Sequence, residues 1–146
     1  AAGTVAGPTL DRTFAGQNFL TQVYRYSFAA NGGAQGAITL TDQNGNAQTI
    51  PTKCIIVGAW IHDFSQITSG GAATVSVGYT GSAAGFLAAT LISNAIFATP
   101  NTVTTTLVTA AAPLKTSTAT SVTITPGIAD LTGGILYVEL IYKQAV

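Results

Sequence analysis

The chain holds one histidine, one cysteine and five acidic residues, so the chemistry open to it is narrow. His62 stands beside Asp63 in WIHDF, and Cys54 lies eight positions before the histidine in CIIVGAWIH. A histidine next to an aspartate suggests a general-base dyad, and a cysteine with a histidine suggests an activated thiolate. Both pairings need hydrogen-bond reach. Residues 53–67 are largely apolar and β-branched, which favours a strand, and successive side chains of a strand point to opposite faces. His62 and Asp63 then diverge. Cys54 and His62 share a face of a regular strand but stand roughly 26 Å apart, at about 3.3 Å per residue. His62 therefore reads as a strand-end histidine beside a loop.

The remaining acids, Asp11, Asp42, Asp130 and Glu139, are far apart in sequence, and most sit at turns, where aspartate serves local hydrogen bonds. Glycoside chemistry needs two carboxylates within about 5–10 Å. DQNGN at residues 42–46 echoes a calcium loop, but the twelfth position, where such a loop needs a bidentate glutamate, is Lys53. GYTGSAAG at residues 78–85 has the glycines of a phosphate loop without the Lys-Ser/Thr that follows them in one. The residues thus assign no catalytic, metal or cofactor-binding position, and the expectation is a protein that is not an enzyme and takes no cofactor.

Charge narrows the partners. Only 7% of the 146 residues are charged and the net charge is zero, where about 25% charged is usual. Low charge promotes association. Either much of the surface faces protein, or a Thr/Ser-rich surface stays hydrated without charge. Arg12, Arg25, Lys53, Lys115 and Lys143 are scattered, so neither a nucleic-acid stripe nor a polybasic membrane anchor forms. Mean hydropathy is +0.44, yet no apolar run approaches the roughly 18 residues of a membrane helix. The start, AAGTVAGPTLDRTF, lacks the basic and apolar regions of a signal peptide and resembles a chain whose initiator Met has been removed.

What elements would carry these residues? Period-two runs recur between Gly, Pro and Asn clusters, the pattern of an all-β protein. Residues 1–20 have no clean period and read as an extended arm, whose apolar points Val5, Leu10, Phe14 and Phe19 need a surface to lie on. Residues 21–146 then form a single domain. Residues 22–30 put Tyr24, Tyr26 and Phe28 on one face. Residues 37–41 and 47–50 flank Asn44-Gly45, which predicts a hairpin with a type I′ turn. Residues 53–67 predict a long central strand with Trp60 in the core. Residues 73–80 turn Val75, Val77 and Tyr79 inward. Residues 86–97 suit a strand or a loop with a short helix. Residues 102–109 and 120–127 are strands, and LTGG at 131–134 a turn. Residues 135–143 put Leu136, Val138, Leu140 and Tyr142 on one face and Ile135, Tyr137, Glu139 and Ile141 on the other. The prediction is an antiparallel β-sandwich or jelly-roll-like barrel of about eight strands.

The succession CIIVGAWIHDF, TSGGAATVSVGYTGSAAGFLAAT and LTGGILYVELIYK resembles a pattern in small structural proteins of tailed bacteriophages, capsid decoration (cement) proteins among them. The resemblance covers residues 51–143 and leaves the arm outside. It implies a jelly-roll-like, often trimeric domain docked on the major capsid protein at the virion exterior, made in the host bacterial cytoplasm, and it brings no catalytic residues. The arm (Val5, Leu10, Phe14, Phe19) is then the expected capsid contact, and Ile135, Tyr137 and Ile141 the expected contact between copies. The alternative is a head or tail fibre module that binds glycans at a receptor.

Overall fold

A computed structural model describes residues 19–106 and 114–144. The strands are β1 (Leu20–Ser27), β2 (Ile38–Thr39), β3 (Thr49–Ile50), β4 (Cys54–Ser69), β5 (Thr74–Tyr79), β6 (Ser82–Leu91), β7 (Thr102–Thr106), β8 (Leu114–Lys115), β9 (Thr120–Gly127) and β10 (Leu131–Gln144). Two single-turn helices interrupt them, α1 (Phe28–Asn31) and α2 (Ala95–Ala98). One sheet, sheet A, runs β1-β10-β4-β7 with β8 also on β4; the other, sheet B, runs β2-β9-β5-β6 with β3 also on β9. Every pairing is antiparallel. The result is the expected β-sandwich, with two separate sheets rather than a closed barrel.

The core lies between the sheets and follows the period-two pattern. Tyr24, Tyr26, Leu136, Val138, Leu140 and Tyr142 come inward from sheet A, and Val75, Val77, Val122 and Ile124 from sheet B. Such side chains supply most of the folding energy, at about 25 cal/mol per Å² of apolar surface removed from water. The buried phenol of Tyr26 donates to the Gly32 carbonyl at 2.8 Å, and that of Tyr24 to Gln22 Oε1 at 2.6 Å.

Several local expectations are corrected. Phe28 leaves the strand for α1 and is exposed. LTGG belongs to β10, where Gly134 takes a left-handed φ of 122° against Ile67. Residues 86–97 divide between the two alternatives: β6 continues to Leu91, and Asn94 then caps α2 by accepting from the Ile96 N–H at 3.1 Å. Of residues 102–109, β7 takes the first five, and residues 107–109 lie outside the described residues.

The hairpin also differs. β2 and β3 both pair with β9, at Ile38↔Ile124 and Thr49↔Ser121, so they form successive parts of one edge line. Residues 41–48 are a loop thrown out of that line, held across its neck by a single bridge, Thr41↔Ala47. Gly45 has φ 88° while Asn44 has no positive φ, which excludes a type I′ turn. The Asp42 carboxylate holds the turn, accepting from the N–H groups of Asn44 and Asn46 at 2.8 Å each. The loop reaches the other sheet. Arg25 N–H donates to the Thr41 carbonyl at 2.7 Å and Gln48 Nε2 to the Val23 carbonyl at 2.8 Å.

Candidate functional site

The outward face of sheet A is shaped by irregularities in the 16-residue strand β4. Along β10, Tyr142 pairs with Ile56 and Ile141 with Gly58, which leaves Val57 unopposed. Such a β-bulge shifts the side-chain alternation by one residue. Cys54 and Ile56 face inward before it, and Ala59, Ile61 and Asp63 after it. Trp60 therefore turns outward and is 39% exposed, not the core residue expected from its place in the long apolar strand. A second bulge leaves Phe64 unopposed between the pairs Leu136↔Asp63 and Ile135↔Ser65.

Two cross-strand rows result. Val23, Glu139 and Trp60 form one, and Arg25, Tyr137, His62 and Val103 the next. Directly opposed side chains are close neighbours on a sheet face. The Phe64 ring stands edge-on to Tyr137 at 5.9 Å between centroids and to His62 at 6.3 Å; His62 and Tyr137 are 6.2 Å apart. Beside this cluster is a concavity of about 350 Å³ lined by Val23, Gln43, Trp60, His62, Val103, Tyr137 and Glu139. Gln43 comes from the loop clipped to β1, so a segment leaving sheet B completes a site on sheet A.

Among the described residues the polar groups of this concavity have no hydrogen-bonding partners. The Trp60 indole N–H, the Tyr137 hydroxyl, the His62 ring, the Gln43 amide and the Glu139 carboxylate make no hydrogen bond or ion pair with a described residue. A second concavity, about 570 Å³, runs from Gln66–Ser69 past Ala73 to Leu91–Ser93. There Thr68 and Thr132 hydroxyls lie 3.1 Å apart, and the Ser69 hydroxyl donates to the Asp130 carbonyl at 2.6 Å.

Behind the aromatic cluster, Asp63 points into the sandwich, on the face opposite His62. It is fully buried and both carboxylate oxygens lack partners, so burial pushes its pKa up to about 6. His62 on the outer face and Asp63 on the inner one cannot act as a dyad. Cys54 is also buried, its thiol against the Thr52 carbonyl at 3.6 Å, and desolvation raises its pKa. A reactive thiolate needs the opposite shift. Among the described residues no group of three or more His, Cys, Asp or Glu gathers.

Of the residues expected at contacts, Ile135, Tyr137 and Ile141 share the outward face of β10, with Tyr137 in the aromatic cluster and Ile141 beside Gly58. Phe19 stands just ahead of β1 and is 60% exposed. Val5, Leu10 and Phe14 lie outside the described residues. Sequence reasoning did not place Trp60, Phe64, Val103, Gln43 and Glu139 in one site. The available signal was Gly58, since a lone glycine within a strand pattern marks a bulge.

No protein-family model matches the chain, and no curated protein matches it. Three solved structures share its fold. A chain of the cyanophage Pam1 capsid asymmetric unit matches with a TM-score of 0.61 and 20% identity, over 96% of this chain and 91% of that one. A chain of the Ralstonia phage GP4 capsid matches with 0.60 and 17%, over 88% and 86%. A chain of the acid-stable capsid of Helicobacter pylori bacteriophage KHP30 matches with 0.57 and 15%, over 86% of both.

Proposed function

We propose that the chain is a non-enzymatic structural protein of a phage virion, a decoration (cement) protein that binds the outside of the major capsid shell and bridges its subunits. The observation that carries this reading is the end-to-end fold match. At 96% of this chain and 91% of the Pam1 chain, the two are of similar size, so the similarity is to a small separate capsid component and not to one domain of a large one. A small sandwich with buried Cys54 and with His62 and Asp63 on opposite faces suits a role in contact rather than in turnover.

The docking surface is assigned to the end of sheet A where the arm enters. Phe19 is 60% and Leu20 46% exposed there, and the bulged Val57 is exposed at the same end of the sheet, across β10. Continuing these residues with Val5, Leu10 and Phe14 would give an apolar strip able to lie along neighbouring capsid subunits, with energy from buried apolar area and matched shape. Copies would meet as a homotrimer through Ile141 at this same end and Ile135 farther along the outward face of β10, leaving Tyr137 to the concavity beside it.

Co-sedimentation with capsids stripped of accessory proteins tests the reading. The full chain should bind saturably and raise the temperature at which the shells rupture. Deleting residues 1–18 should abolish binding and leave the circular dichroism of the domain unchanged. Absence of binding by the full chain would overturn the decoration role. Native mass over a dilution series tests the trimer separately.

A further inference from the structure

The concavity on sheet A asks for a ligand of a particular chemistry. Its walls are apolar and aromatic, from Val23, Val103, Trp60 and Tyr137, and its rim carries an indole N–H, a phenol, an imidazole, an amide and a carboxylate that have no hydrogen-bonding partner among the described residues. A dry contact with another protein face would bury these five groups, and each buried group left unpaired costs about 1–3 kcal/mol. An anion would meet the Glu139 carboxylate, and no lysine or arginine belongs to the lining; Arg25, across from Tyr137, is not part of it. A metal ion would find one carboxylate and one imidazole, too few donors to hold it.

We propose that this concavity binds a neutral oligosaccharide. A pyranose ring has an apolar C–H face and a rim of hydroxyls. The face suits the rings of Trp60 and Tyr137, which pair an apolar body with a polar tip. The hydroxyls suit Glu139 and Gln43: a carboxylate accepts strong charge-assisted bonds, and an amide both donates and accepts. About 350 Å³ falls within the range of pre-formed ligand sites. Uronic acids and sialic acid are disfavoured by Glu139. The inference does not depend on the decoration role. A trimer contact that closed over Tyr137 would exclude it.

Trp60 is the sole tryptophan of the chain, so its fluorescence reports the site directly. The full chain is titrated with laminarin, galactomannan, dextran and chitohexaose, and with polygalacturonate as the acidic control. Affinity electrophoresis in the four polymers gives a second readout. At least one neutral sugar should shift Trp60 emission saturably, and one neutral polymer should retard the protein. Trp60→Ala should weaken retardation at least tenfold and Glu139→Gln several-fold, with thermal unfolding still cooperative in both. The proposal is overturned if no neutral sugar shifts Trp60 emission or retards the protein, or if polygalacturonate binds as tightly as the best neutral polymer. It also falls if Trp60→Ala leaves retardation unchanged while breaking self-association, which would make this face a contact between copies.

Discussion

The two outward faces of the sandwich differ more than the two sheets do. On sheet B the outward positions of β5 and β9 are Thr74, Ser76, Ser121, Thr123 and Thr125, all hydroxylated. Ser76 and Thr123 are buried, and at Gly78 the chain's own Ser82–Ala83 backbone comes so close that a Cβ would run into it. On sheet A the same layer holds Trp60, Phe64 and Val103, which are exposed, and His62 and Tyr137, which are half-buried. A chain that is only 7% charged thus presents two unlike outward faces, one of small hydroxylated side chains that are buried or half-buried and one of aromatic side chains that partly meet solvent.

Adding bulk tests this contrast most strongly. Gly78→Val should cost several kcal/mol, beyond the usual 1–3 kcal/mol of overpacking, because the obstructing atoms are backbone. Gly58→Ala on sheet A meets the Ile141 side chain at an ordinary 3.6 Å and should change stability by less than about 1 kcal/mol. Comparable melting temperatures for the two variants would erase the difference between the faces.

Asp63, on the inner side of sheet A, gives the next effect. Its carboxyl holds a proton to about pH 6 in the folded protein, against 3.8 for the ordinary group. The folded state therefore binds this proton more tightly than the unfolded state. Its contribution to stability is complete below about pH 4 and is lost as pH rises through 6, about 2–3 kcal/mol in all. Asp42 runs the other way, since the Asn46 N–H above all lowers its pKa. Urea unfolding of the chain and of Asp63→Asn at pH 4 and pH 7 isolates the inner carboxyl. The gap between them should widen in favour of asparagine at pH 7, and a constant gap would show that Asp63 does not titrate in this range.

Smaller effects sharpen the comparison at the site itself. Gly45→Val forces a β-branched residue to φ 88° and should cost about 1–2 kcal/mol. Because that loop carries Gln43 to sheet A, amide exchange should rise around Val23 and Arg25 and remain slow in β5 and β9. Trp60→Ala should cost less than about 1.5 kcal/mol, since so much of the ring already meets water. A loss of 3–5 kcal/mol, the range for a core tryptophan, would return Trp60 to the interior.

Strands whose period stays intact were legible from sequence. Tyr24 and Tyr26 in β1, Val75 and Val77 in β5, and Leu136, Val138, Leu140 and Tyr142 in β10 face inward as their alternation predicts. The long central strand was legible too, but its faces were not, because one unopposed residue at Val57 reverses them and sends Trp60 outward. Gly58 marked the place without giving the direction. The loop at residues 41–48 was hidden for another reason. Asn44-Gly45 signals a local turn, whereas the attachment of β2 and β3 to β9 depends on a strand some 70 residues later. The site on sheet A needed both facts at once, so its members could be read singly and not together.

The clip of residues 41–48 onto β1 bears on crowding. β1 borders sheet A, and a bordering strand offers unpaired amide and carbonyl groups as a template on which another chain can extend the sheet. Charge usually discourages such growth, and this chain has a net charge of zero. The Thr41 and Gln48 contacts to Val23 and Arg25 occupy those groups from within the same molecule. Copies packed side by side at high local concentration would then be kept from fusing into fibrils by a loop, where other proteins rely on like-charge repulsion.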